Sequence, residues 1–243
     1  MNISSSKTVR ELAVEVPNAT RVLEGFGIDY CCGGKRSLEE ACQAAKQPVE
    51  EVVKALETAS AAPPSESVLP SGSLAELIDH IVQTHHKFTR EEIVRLQALL
   101  EKVCSVHGQN HPELLTIRDA FRGLAQELTL HMMKEENVLF PYIFRMEEAV
   151  VPNDPVLPAP FGTVQNPVRM MMQEHDGAGE ALREIRQASR DFTLPKDACI
   201  SYQTLYQALP AFEADLHQHI HLENNLLFPR AIEMEESAVA AAR

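Results

Sequence analysis

Apolar residues recur along most of this chain with the 3.6-residue period of an amphipathic helix, and nowhere with the two-residue alternation of a half-buried strand. Residues 1–60 divide into short helical runs. TVRELAVEV is apolar at Val9, Leu12, Ala13 and Val16. Pro17 is placed to open a second helix, PNATRVLEGFG, which stops at glycine. Ser37 and Glu40 make a capping box ahead of Leu38, Ala41 and Cys42, and PVEEVVKALETA supplies the last short helix. Between the second and third runs lies a turn with glycine on both sides, Gly27–Ile28–Asp29–Tyr30–Cys31–Cys32–Gly33–Gly34.

The stretch SAAPPSESVLPSG reads as a linker by composition, and we place it at 61–72. Beyond it the periods lengthen. Leu74, Leu77, Ile78, Ile81 and Val82 start a stripe that Ile93, Leu96 and Leu100 continue. Further helices are expected at about 112–148, 166–190 and 196–234. A proline-rich break at 150–167 reads as a crossing loop. The expected fold is all-α: a small helical domain at 1–60, the linker, and an antiparallel four-helix bundle at 73–243.

Composition narrows the function. The chain has 243 residues and a formal net charge of −13. That field opposes binding to nucleic acid, and no basic recognition helix offsets it. No stretch approaches the ~18 apolar residues of a membrane helix, and no apolar leader opens the chain. Five irregularly spaced cysteines fit a reduced, cytoplasmic setting better than secretion. Cys42, Cys104 and Cys199 are expected to be small core residues. Ten histidines stand out in so acidic a chain.

Two of those histidines, His131 and His219, open the copies of an internal repeat. HMMKEENVLFP (131–141) and HIHLENNLLFP (219–229) superpose without a gap as His-x3-Glu-x-Asn-x-Leu-Phe-Pro. An i, i+4 pair lies on one helical face, so His131 with Glu135, and His219 with Glu223, each present an imidazole and a carboxylate to one interior point. A histidine-bearing helix precedes each copy, with His175 before the second. Before the first, His85 and His86 are adjacent. His86 is chosen, because apolar residues fall seven and ten positions after it (Ile93, Leu96), as they do after His175 (Leu182, Ile185). Carboxylates that bridge and imidazoles that cap form a borderline N/O set suited to iron. Glu127 and Asp215, four residues ahead of His131 and His219, are candidates to hold the far ring nitrogens; Glu174 is a candidate to line the access path. His80, His107, His111, His217 and His221 are expected at the surface.

The doubled motif, with His86 and the Glu174–His175–Asp176 segment, resembles the hemerythrin-like cation-binding bundle. The Asp29-Tyr-Cys-Cys-Gly-Gly turn resembles the short N-terminal domain of the iron–sulfur cluster repair di-iron proteins. That resemblance implies two non-haem iron ions per chain joined by an oxo bridge, held by four His and two Glu. It implies restoration of iron–sulfur proteins damaged by nitric oxide or oxygen species, through iron donation or nitric oxide reduction. It leaves a homodimer open. Oxygen-carrying hemerythrins have a further histidine four residues from the third-helix ligand; here those places hold Gly179 and Met171. One imidazole fewer favours small-molecule reactivity or a removable metal over oxygen storage. Cys31 and Cys32 are then the candidate thiols for redox or nitric oxide chemistry, in a turn expected to be exposed and carried on a free linker. A binding or sensing module without catalysis is the competing reading.

Overall fold

The computed structural model describes residues 3–31, 33–61, 72–150 and 160–241. Eight helices account for nearly all of them: α1 (Val9–Glu15), α2 (Ala19–Gly25), α3 (Leu38–Ala45), α4 (Val49–Ser60), α5 (74–107), α6 (113–150), α7 (Gln165–Ala188) and α8 (200–241). An isolated β bridge joins Thr8 and Ser37, and no strand runs through the described residues. The fold is all-α, as the periodicity implied. The linker lies largely outside the described residues (62–71), as do Pro152, Pro155 and Pro158 of the break.

Three of the long helices widen to π geometry for about one turn: Ile81–His86 in α5, Glu135–Leu139 in α6 and Leu222–Leu227 in α8. In the latter two the cause is local. Pro141 and Pro229 follow, and a proline has no N–H to donate and crowds the carbonyl four residues before it. One extra residue in the turn relieves the crowding. The Phe140 and Phe228 N–H groups accordingly reach back five residues, to the carbonyls of Glu135 and Glu223.

The chain forms two compact units, Met1–Ile78 with His217–Arg243, and Asp79–Leu216. In the second unit α5, α6, α7 and the first part of α8 bury Leu96, Leu100, Ile117, Phe121, Leu182, Leu205 and Phe212. Phe121 and Phe212 meet edge to face at 5.4 Å. Arg186 of α7 forks onto Glu213 of α8, Nε to Oε1 at 3.2 Å and Nη2 to Oε2 at 2.5 Å. The last helix begins at Ile200, later than its pattern suggested, because residues 190–192 are all left-handed (φ 51, 53 and 56°) and Pro195 follows. Cys42 and Cys104 are buried as expected, but Cys199 is exposed, just ahead of that helix.

In the first unit α1 and α3 both carry the full capping box, Thr8 with Glu11 and Ser37 with Glu40. The apolar stripe of α1 (Val9, Leu12, Ala13, Val16) is buried with Leu23, Leu38, Val52 and Leu56. Gly34 allows a close passage: a Cβ there would lie 2.9 Å from the Tyr30 carbonyl oxygen and 3.1 Å from Arg10 Cβ. This small domain rests on the second copy of the repeat. Asn225 Nδ2 donates to the Tyr30 carbonyl (2.9 Å) and Asn224 Nδ2 to the Cys31 carbonyl (3.3 Å). Arg10 Nη2 donates to the carbonyl of Asn225 (3.3 Å), the one Pro229 cannot serve. The matching Asn137 instead turns its amide to its own helix, at the Met133 carbonyl (2.7 Å).

Asn225→Ala should therefore destabilise the protein by about 1–3 kcal/mol, since it strands the buried Tyr30 carbonyl. Asn137→Ala should stay within about 0.5 kcal/mol. Chemical denaturation reads both, and hydrogen exchange should show the loss at residues 28–31.

Candidate metal centre

The second unit gathers four of the expected ligands. His86 closes the π turn of α5, His131 and Glu135 bracket the start of the π turn of α6, and His175 sits mid-way along α7. All four are buried, Glu135 and His86 completely. One oxygen of Glu135, Oε2, lies 3.4 Å from His86 Nε2 and 3.3 Å from His131 Nε2. His175 Nε2 is 3.0 Å from His131 Nε2. In the first unit His219 Nε2 and Glu223 Oε1 are 2.9 Å apart, both buried, across the junction of α-helix and π turn in α8.

The outer ring nitrogens determine what the inner ones present. His86 Nδ1 donates to Glu136 Oε1 at 2.6 Å, and His131 Nδ1 donates to Glu174 Oε2 at 2.9 Å. In a neutral imidazole so held, Nε2 carries a lone pair and points inward. The inward lone pair of His131 stands 3.0 Å from His175 Nε2, a separation that a proton or a cation between the two nitrogens satisfies. The donor set therefore fits a cation of borderline softness. The outer carboxylates are kept ionised. Burial opposes the charge on Glu136, but hydrogen bonds from His86 and Arg90 outweigh it and hold the carboxyl below its usual value. Burial likewise opposes the charge on Glu174, and hydrogen bonds from Lys134 and His131 lower it.

Comparison with known proteins agrees with this geometry. Residues 77–231 match the family model described as hemerythrin HHE cation binding domain, and residues 5–60 match a domain of unknown function, DUF542. A Haemophilus influenzae protein named probable iron-sulfur cluster repair protein is 36% identical over 230 residues, 94% of this chain and 97% of its own. The iron-sulfur cluster repair protein YtfE of Escherichia coli is 36% identical over 222 residues, covering 91% and 94%. That of Yersinia pseudotuberculosis is 32% identical over 230 residues, covering 95% and 98%. This chain belongs to the iron–sulfur cluster repair family, within the hemerythrin HHE proteins.

Several expected positions in this family member need correction. Asp215 serves His85, not His219: His85 Nδ1 lies 3.0 Å from its Oδ1. Glu127 is exposed and holds no ring nitrogen. Glu174, expected either behind a ring or on the access path, stands behind His131. His221 is buried, not at the surface; its ring packs against Tyr30 at 5.3 Å and its Nδ1 meets Asn225 Nδ2 at 2.8 Å. Burial, reinforced by the charge of Arg10, pushes its pKa down to about 4, so it is neutral there. His80, His107, His111 and His217 are half-buried. Cys31 is buried, with its Sγ donating to Asp29 Oδ1 at 3.4 Å, and its turn is fixed by Asn224 and Asn225, not carried free. Cys32 lies outside the described residues.

The sequence reading missed Glu136 and Arg90. Glu136 stands where the second copy has Asn224, and that mismatch between copies was the available signal. Glu136→Gln and Glu174→Gln should each weaken cation binding about ten- to hundredfold, as loss of a ring-orienting carboxylate does. Glu127→Gln should leave it unchanged. Competitive metal titration distinguishes the three.

Proposed function

We propose that this chain is a non-haem di-iron protein that restores iron–sulfur clusters damaged by nitrosative or oxidative stress. The observation that carries the proposal is the buried Glu135 carboxylate between two imidazoles whose outer nitrogens are anchored, in a chain of the repair family. In this reading His86, His131, Glu135, His175, His219 and Glu223 hold two irons, with an oxo bridge between them. Support for including His219 and Glu223 comes from the repeat: they occupy the same motif positions, are equally buried, and lie at the same π-turn junction as His131 and Glu135. Residues 73–243 then form the iron domain and residues 1–60 its thiol-bearing partner.

Iron held in this way supplies one-electron chemistry toward nitric oxide or oxygen species, or serves as iron to be handed on. The protein's own groups set the conditions. Glu136 and Glu174 orient His86 and His131 and hold the Nδ1 proton, which raises the basicity of the inward Nε2 as a ligand. Arg90 and Lys134 neutralise those carboxylates at the rim. Met171 and Gly179 stand where a further imidazole would be, both buried, so the protein offers six donors and leaves room for an exchangeable ligand. Asp29 takes the proton-bearing side of the Cys31 thiol, and Cys31 with Cys32 forms the candidate redox pair. Clients are damaged iron–sulfur proteins in the cytoplasm. Among the described residues no helix is long and apolar enough to cross a membrane.

His131→Ala and Glu223→Ala should each lose at least half of the bound iron, whereas His85→Ala should retain most of it; metal analysis of the purified proteins decides. Full occupancy in the first two sinks the di-iron assignment. For function, the iron-loaded protein is mixed without oxygen with a hydratase whose 4Fe–4S cluster has been inactivated by nitric oxide. The parent should restore activity, and the double change Cys31→Ser with Cys32→Ser should do so clearly more slowly with iron content intact. Labelled iron appearing in the client would indicate donation, and nitric oxide consumption without transfer would indicate reduction. Restoration by neither route, with iron bound, overturns the reading in favour of binding or sensing.

A further inference from the structure

We propose that the far end of α5 holds a second, separate cation site, formed by His107, His111 and Asp197, for one borderline divalent ion such as Zn²⁺, Co²⁺ or Fe²⁺. His107 is the last residue of α5, 21 positions after His86, or roughly 30 Å along the axis at 1.5 Å per residue. The site shares no residue with the proposed di-iron set.

The chain turns once more after α5, with the His111 N–H donating to the His107 carbonyl at 2.9 Å, so the two imidazoles stay one turn apart. Asp197 arrives from the segment between α7 and α8. One ring nitrogen of each histidine and one oxygen of Asp197 lie within 4.8 Å of one another. Tyr202 of α8 packs against both rings, at 5.4 and 5.7 Å, and limits their rotation.

Two details point to an ion and not only to an ion pair. His111 Nδ1 lies 3.1 Å from Glu113 Oε1, while its Nε2 faces both oxygens of Asp197 at 3.0 and 3.1 Å. Glu113 thus stands behind the ring as the carboxylate partners of metal-bound histidines do, fixing the proton on Nδ1. His107 Nε2, meanwhile, is buried and has no hydrogen-bond partner beside this imidazole–carboxylate pair. A polar nitrogen left in that state costs free energy that a bound ion at the cluster would offset. Two imidazoles and one carboxylate, with no thiolate and few oxygens, suit borderline transition ions over calcium or magnesium. The Asp197 side chain is 56% exposed, which gives an ion a direct path from water and leaves coordination positions for it. The net charge of −13 favours its approach.

The test uses the full chain with iron already loaded. Co²⁺ is titrated and followed by its visible ligand-field bands, and Zn²⁺ by calorimetry. The parent should take up one further ion per chain. Asp197→Asn, an exposed change that leaves the fold intact by circular dichroism, should weaken that uptake at least tenfold. His107→Ala should abolish it, and Glu113→Gln should weaken it about tenfold. Iron content should stay constant throughout. The proposal is overturned if the parent shows no saturable uptake beyond its iron, leaving a His111–Asp197 ion pair only. It is equally overturned if Asp197→Asn and His107→Ala bind like the parent.

Discussion

Glu135 has no contact with solvent, and an ionised carboxylate so placed costs several kcal/mol unless donors or cations surround it. A cation would supply that compensation, held among imidazoles from two helices, with His86 from α5 and His131 from α6 both within 3.4 Å of the same oxygen. Their outer nitrogens pass the charge to Glu136 and Glu174, which are only partly buried and meet Arg90 and Lys134 at the rim. A line of hydrogen bonds from imidazole to carboxylate therefore connects the buried rings to the surface. Remove an outer carboxylate and the ring it orients is free to turn.

Backbone geometry serves the same end. α5, α6 and α8 depart from α-helical winding at His86, Glu135 and Glu223, and α7, which contributes His175, does not. In α6 and α8 the departure is written in the prolines at 141 and 229. In α5 no proline follows Ile81–His86. A widened turn changes the angle between successive side chains, which lets His85 and His86 serve different partners, Asp215 and the Glu135–Glu136 pair.

The two copies of the motif have also diverged in use. The carbonyl that proline frees in the second copy is taken by Arg10, and the asparagine amides there hold the Tyr30–Cys31 segment. In the first copy the position of Asn224 is Glu136, which instead orients His86. One copy supports an imidazole and the other docks the thiol-bearing turn. The buried Cys31 is thus positioned through its main-chain carbonyl by Asn224, the residue after Glu223.

By itself the sequence determined the helices, the capping box of α3 and the doubled His-x3-Glu motif, because these depend on periods and spacings within a few residues. The choice of His86 over His85 also came from spacing, through comparison of the two halves. What it left undecided was which carboxylate faces which ring. Glu127 and Asp215 both lie one turn before a motif histidine, yet one is exposed and the other serves His85; Glu136 and Glu174 took the expected roles from other helices. Such pairings span 43 to 50 residues and depend on how helices are rotated against each other. The burial of His221 and of Cys31 was hidden for the same reason: local polarity says nothing about a partner that arrives from about 190 residues away in the chain, and only packing decides whether it does.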